Sequence, residues 1–261
     1  MTSSARASAA EDRAAAPAGT RILAIDLGGT HVKVLLSGER SEREADSGPH
    51  MGPAQLVRTV RELTADWHYD VIAMGYPGVV WHGRPFTEPH NLAHGWVRFD
   101  YVKAFGYPLR MINDAAMQAL GSYRGGRMLF LGLGTGLGAA LILDGSVEAT
   151  ELAHLPYKKG RTYEDYLGKN GLERLGRKKW QRHVFDVTER LRAAFEVDYV
   201  VIGGGNAKRL KELPPGARLG DNRNAFKGAF RLWREAGWAQ TLTAGAHRAQ
   251  RRAARRTRPP R

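Results

Sequence analysis

No cysteine occurs among the 261 residues, which excludes disulfides, thiolate metal sites and a cysteine nucleophile in one step. Also missing is any apolar run long enough to cross a bilayer, so no membrane span is expected. The first 19 residues, rich in Ala and Ser, have no continuous apolar core and carry Glu11 and Asp12. They read as a disordered leader, not a secretory signal. Together these absences make a cytoplasmic location the default expectation. Acidic residues are scarce: 26 Asp and Glu stand against 40 Lys and Arg, a formal net charge of +14. What the chain does have is 43% hydrophobic residues, enough for one large or two small domains with a real core. Segments such as Val71-Ile72-Ala73-Met74 and Leu129-Phe130-Leu131 can offset the entropy of ordering.

The positive charge is unevenly spread. Seven arginines and no acids lie between His247 and Arg261, so residues 241–261 read as a basic, disordered tail holding half of the net charge. Such a tail is either a solvated terminus or an anchor for a polyanion such as nucleic acid, anionic lipid or polyphosphate. A second basic stretch, Lys158 to Arg182, has nine Lys and Arg against Glu164, Asp165 and Glu173. It falls inside the expected folded region, where a solvated helix surface and a polyanion track are both open readings.

Strands and helices alternate along the middle of the chain, an α/β pattern. Arg21–Asp26 and His31–Leu36 read as a hairpin closed by Leu27-Gly28-Gly29-Thr30. Glu39–Gly52 is polar and turn-rich, a loop or edge hairpin, Gln55–Ala65 has helical spacing, and Tyr69–Gly75 is another apolar strand. Gly83–Gly95 is a long irregular stretch of the kind that carries function. Leu109–Ile112 predicts a strand and Ala115–Tyr123 a helix. Met128–Gly132 and Ala139–Leu143 predict strands around a second glycine turn. Helical segments follow at Tyr163–Leu175 and His183–Phe195, then a strand at Tyr199–Ile202 and a helix over Asn224–Ala236. The strand–glycine–strand theme occurs twice, which predicts two similar lobes facing a cleft: an N-terminal lobe over 20–112 and a C-terminal lobe over 113–240.

Several short motifs suit phosphate chemistry. In Asp26-Leu27-Gly28-Gly29-Thr30 the glycines let backbone N–H groups approach a phosphate, Thr30 adds a hydroxyl and Lys33 a nearby charge. Asp26 suits a water-mediated contact to magnesium; an ordinary hairpin turn with a capping Asp explains the same residues. Gly134-Thr135-Gly136 lies in a second such turn. Its overlap with a dinucleotide fingerprint fails, because Ala140–Leu143 continues as a strand where a helix is required. The P-loop pattern fails too, since Gly168-Lys169 is followed by Asn170. Asn113-Asp114 stands at a strand–helix junction, where a carboxylate can be a general base or simply an N-cap. Glu151 and His154, with Glu164 beyond, can bind a polyol or be surface polarity; a metal site lacks a third ligand.

In order, Asp26-Leu-Gly-Gly-Thr30, Gly75-Tyr-Pro-Gly78, Asn113-Asp114, the Gly-Thr-Gly hairpin, Glu151-x-x-His154 and Gly203-Gly204-Gly205 resemble the ROK family of the actin-like ATPase superfamily. The resemblance covers residues 20–236 and implies two ribonuclease-H-like lobes, with sugar and phosphoryl donor meeting between them. It implies a kinase acting on the 6-hydroxyl of glucose or a related hexose, with Asp114 as catalytic base. Asn91, Asn113, Glu151, His154 and Glu164 are the implied sugar ligands. Gly28, Gly29, Thr30, Gly134, Thr135 and Gly136 are the implied phosphate turns, and Gly203, Gly204 and Gly205 the turn beside an adenosine. Magnesium, ATP or polyphosphate as donor, and a homodimer are implied as well. The family's cysteine-rich zinc knuckle is missing, so no zinc is expected; zinc-free short members include the polyphosphate-dependent glucokinases, the branch this chain most resembles. Ala153 stands where the family has glycine in Glu-x-Gly-His. The family also contains sugar-responsive repressors, which makes a non-catalytic sugar-binding regulator with a nucleic-acid-binding tail the alternative, although the leader is too short for a helix-turn-helix.

Overall fold

The structure, a computed structural model, describes residues 15–235 and Trp238. Most of the leader and the whole arginine-rich tail lie outside the described residues. Two compact units divide the chain, one running to Ile112 and resuming at Phe230, the other formed by Asn113–Ala229.

The first unit is built on a five-stranded sheet of β1 (Ile22–Leu27), β2 (His31–Leu36), β3 (Arg43–Asp46), β4 (Val71–Tyr76) and β7 (Leu109–Asn113), in the order β3-β2-β1-β4-β7. β1 pairs antiparallel with β2 and parallel with β4. Its side chains alternate: Leu23, Ile25 and Leu27 join Val32, Val34 and Met74 in one core cluster, while Asp26 falls on the opposite face. Helix α1 (Pro53–Leu63) starts with proline in its first turn, where a missing N–H costs nothing, and buries Leu56, Val57 and Val60. A two-residue hairpin, β5 (Val80–Trp81) and β6 (Arg84–Pro85), and the short helix α2 (Tyr101–Phe105) complete the unit.

The second unit repeats the plan. β8 (Met128–Leu133), β9 (Leu137–Leu143), β10 (Ser146–Thr150), β11 (Tyr199–Gly203) and β12 (Ala217–Leu219) form a sheet in the order β10-β9-β8-β11-β12. Again an antiparallel meander is extended by parallel strands. Helix α3 (Asp114–Ser122) follows β7 directly, α4 (Tyr163–Leu167) precedes α5 (Lys169–Phe195), and α6 (Asn224–Arg234) comes last. On α5, Trp180, Val184, Val187 and Leu191 recur at helical spacing and cover Leu129, Leu131 and Leu141 of the sheet. Helix α3 is pinned against α6 through two glycines. A Cβ on Gly121 would fall 1.8 Å from the Asn224 carbonyl oxygen, and one on Gly228 would fall 1.9 Å from that of Met117. Only hydrogen at both positions permits the approach, and it fixes the helix that carries Asp114.

The loop or edge hairpin expected over Glu39–Gly52 contains β3, an edge strand that pairs with β2. Two differences from the sequence expectations have simple causes. The irregular stretch expected to begin at Gly83 begins inside the β5–β6 hairpin. The helix expected over Tyr163–Leu175 breaks at Gly168, and α5 is kinked at Gly176, whose φ of 70° is non-helical. Among the described residues no helix is long and apolar enough to cross a membrane.

Candidate active site

In the first unit the turn between β1 and β2 is held by its own backbone and by Ser47. Gly28 N–H donates to the His31 carbonyl at 2.9 Å, and Ser47 donates its hydroxyl to Gly28 at 2.7 Å and its N–H to Thr30 at 2.9 Å. Gly29 packs on Asn91: a Cβ there would lie 2.9 Å from the Asn91 Cβ. The loop bearing Asn91 is organised by Glu88, whose carboxylate accepts the N–H groups of Gly95 and Trp96 at 3.0 Å and of Val97 at 3.3 Å. Asp26 is half-buried and registers opposite Lys33. Burial pushes its carboxyl up to about 6, with Lys33 opposing the rise and Glu42 adding to it. The Lys33 ammonium is itself paired with Glu42 and Glu44, each at 3.1 Å. A phosphate would have to compete with two carboxylates for that lysine.

At the start of the second unit β7 leads straight into α3, and the N-cap reading of Asn113-Asp114 falls on Asn113. The Asn113 side chain is the cap, accepting Ala116 N–H at 3.0 Å. Asp114 takes the first helical position, one oxygen accepting Ala115 N–H at 2.8 Å. The head of α3 abuts the glycine hairpin, since a Cβ on Gly138 would lie 3.0 Å from that of Ala115.

The Gly134-Thr135-Gly136 turn is braced on three sides. Gly134 N–H donates to Gly136 at 3.1 Å, and Lys169 N–H, at the start of α5, donates to the carbonyls of Gly134 and Thr135. Asn206 donates its side-chain amide to the Gly134 carbonyl at 2.9 Å. This last bond ties the Gly203-Gly204-Gly205 turn to the Gly134–Gly136 turn. Gly204 has φ 81° and leaves no room for a Cβ, which would meet the Leu133 carbonyl oxygen at 2.5 Å. The third brace is Glu164: its Oε2 accepts Leu137 N–H at 3.0 Å. Glu164, expected among the sugar ligands, thus lies in the turn itself.

Glu151 and His154 come together across a short 3-10 turn, with His154 Nε2 3.4 Å from Glu151 Oε2 and both side chains more than half exposed. Ala153 between them is buried in the core cluster, and its φ is not in the left-handed region. The methyl group is therefore accommodated where the family has glycine.

Part of the basic stretch lines an open cavity of about 520 Å³, formed by Lys158, Lys159, Arg161, Tyr166, Arg174, Leu175 and His183. No acid is among these residues. Lys158 pairs with Asp186 at 3.1 Å, and Arg174 donates to the Asp165 carbonyl at 2.7 Å while lying over the Tyr166 ring. Burial and then Lys158 hold His183 below the usual histidine range.

Sequence reasoning missed Ser47, Glu88 and Asn206. Asn206 could have been found, because an amide side chain directly after three glycines is placed to cap or brace. The bonds of Ser47 and Glu88 join segments that carry no common pattern.

A duplicated α/β fold, each half with a glycine turn between antiparallel strands, defines a two-unit α/β protein. The sequence profile of the ROK family matches residues 22–158, and the chain belongs to that family. It is 32% identical over 149 residues to the bifunctional enzyme NanE/NanK of Brucella melitensis, a match covering 50% of this chain but only 28% of that protein. It is 26% identical over 179 residues to the polyphosphate glucokinase of Mycobacterium tuberculosis, covering 62% of this chain and 67% of that one. Among solved structures, the inorganic polyphosphate/ATP-glucomannokinase of Arthrobacter sp. strain KM superposes with a TM-score of 0.69 at 22% identity. That match covers 87% of this chain and all of the other, and it shows the shared fold.

Proposed function

We propose that the chain is a sugar kinase that transfers a phosphoryl group from polyphosphate or ATP to the 6-hydroxyl of glucose or a related hexose. The observation that carries this reading is the packing of the head of α3, with Asp114, against the hairpin that bears the Gly134–Gly136 turn. A base and a phosphate cradle are thereby fixed on one scaffold. Asp114 accepts the hydroxyl proton as the new O–P bond forms and the donor's bridging P–O bond breaks. Asn91, Asn113, Glu151 and His154 orient the sugar, and Glu164 reaches it from the turn. The amides of Gly29, Thr30, Thr135 and Gly136, on turns that Gly28 and Gly134 shape through their own backbone bonds, meet the phosphate oxygens with the hydroxyls of Thr30 and Thr135. Lys33 contributes charge once it exchanges a carboxylate for phosphate.

Among the described residues no three His, Asp or Glu side chains converge as a metal site. Asp26 is the residue that would hold magnesium, through water. When bound it would neutralise phosphate charge. The polyphosphate reading draws support from the cavity lined by Lys158, Lys159, Arg161 and Arg174, and from the polyphosphate glucokinase relative. The ATP reading draws on Gly203-Gly204-Gly205, braced by Asn206 and suited to flank a nucleoside. The test is glucose 6-phosphate formation with magnesium, comparing the two donors. Asp114→Asn is expected to cost about 10²–10⁴-fold in kcat with KM for glucose little changed. Turnover preserved in that variant overturns the assignment of the base.

A further inference from the structure

The Gly134–Gly136 turn is not simply an open cradle. Its outgoing amide, Leu137 N–H, already holds an anion, because Glu164 Oε2 accepts that N–H at 3.0 Å. The carboxylate lies in space that exists only because residue 136 is glycine: a Cβ there would fall 2.2 Å from Glu164 Oε2 and 3.1 Å from its Cδ. The arrangement is built rather than incidental. Glu164 sits in α4, whose start is locked by a reciprocal capping box between Thr162 and Asp165. The Gly168 N–H that closes α4 donates to the Glu164 carbonyl at 2.9 Å, and the next amide, Lys169 N–H, grips the turn's carbonyls. The α4 backbone and the turn are thus clamped together, and the Glu164 side chain bridges them through its bond to Leu137 N–H.

We infer that Glu164 is an internal carboxylate plug in the donor turn, which an incoming phosphate must displace and which the acceptor sugar draws away. This deepens the kinase reading and rests on it. Two anions cannot share one N–H at contact distance, and the loss of the Leu137 bond must be compensated where Glu164 goes. A polyhydroxylated acceptor supplies that compensation, because its neutral hydroxyls donate hydrogen bonds to the carboxylate whereas a phosphate's negative charge repels it. Binding is therefore ordered: sugar first, donor second. A turn closed to phosphate until the acceptor has bound also limits transfer to water.

The test reads the turn directly. The full chain, labelled with ¹⁵N, is titrated with inorganic triphosphate while the amide signals of Gly136 and Leu137, which do not line the basic cavity, are followed. Three proteins are compared with and without glucose: wild type, Glu164→Gln, and Gly136→Ala, whose new methyl evicts the carboxylate without removing it. In wild type, glucose is expected to tighten triphosphate binding at the turn by at least about tenfold, the order expected for removing one like charge at contact distance. In Glu164→Gln the sugar-free affinity should already be raised by a similar factor, and glucose should add little. The Leu137 signal of sugar-free Gly136→Ala should shift toward that of glucose-bound wild type. Equal triphosphate affinity at the turn in wild type and Glu164→Gln overturns the plug and leaves the donor turn standing. No response of these amides to triphosphate in any protein overturns the donor turn and the plug together.

Discussion

Asp186 shows how one side chain supports the basic surface. It accepts hydrogen bonds from the Tyr157 hydroxyl at 2.5 Å, the Lys158 ammonium at 3.1 Å and Arg190 Nε at 3.0 Å. Burial alone would push its carboxyl up, but these three donors outweigh burial and hold it at about 2. The folded-state value lies below the ordinary one, so the carboxylate stabilises the fold above about pH 4 and its contribution is lost as pH falls toward 2. The side chain is 33% exposed, and solvent screens the pairs. Asp186→Asn is therefore expected to cost only about 1 kcal/mol at pH 7, the deficit vanishing near pH 2. Urea denaturation at several pH values checks this; a deficit constant with pH would assign the loss to packing instead. Not all such roles are legible in a sequence. Asn113-Asp114 is, because the two residues are adjacent and a strand–helix junction needs a cap. Glu164 is harder: its residue type suits a ligand, yet its partner, the Leu137 amide, is 27 residues away.

At the scale of elements, the hairpin over 156–162 makes the sharpest prediction. Lys159 and Gly160 both have positive φ, 53° and 69°, at its tip, and Pro156 bridges Thr162 across it. Positive φ suits Gly160 but strains a long lysine, and asparagine is several-fold enriched in that region. Lys159→Asn is expected to stabilise the protein by about 0.5–1 kcal/mol while weakening polyphosphate binding. A lysine kept at a strained position for reasons of shape would give the opposite stability change, which thermal unfolding reads. The same scale explains which elements the sequence displays. β1, β4, β8 and β11 are apolar and buried, so burial pattern announces them. β3, with the sequence Arg-Glu-Ala-Asp, and β12 are short edges held by backbone ladders, and such bonds leave no mark in side-chain pattern. The breaks at Gly168 and Gly176 are similar: each glycine was visible, but nothing local says which of several will interrupt a helix.

Charge is a property of the whole chain, and two regions compete to explain its use. Half of the +14 lies in the seven arginines beyond His247, outside the described residues; the cavity adds Lys158, Lys159, Arg161 and Arg174. Counterion release makes the two separable, because the logarithm of affinity falls with the logarithm of salt by about 0.7 per phosphate neutralised on a flexible polyanion. With Lys158 partly committed to Asp186, the cavity supplies three to four cations, and the expected slope for polyphosphate is about −2 to −3. If the tail engaged the same chain, its seven charges would steepen that slope to about −7. We expect the shallow value, since the cavity's cations are already positioned by a hairpin and a helix and little ordering is needed to bind there. Replacing the seven arginines by glutamine should then leave the slope unchanged, whereas Lys159→Asn combined with Arg161→Gln should reduce its magnitude by about 1.4. A steep slope that collapses in the glutamine tail variant would instead move polyanion recognition from the fold to the terminus, and the cavity would lose its claim on the donor.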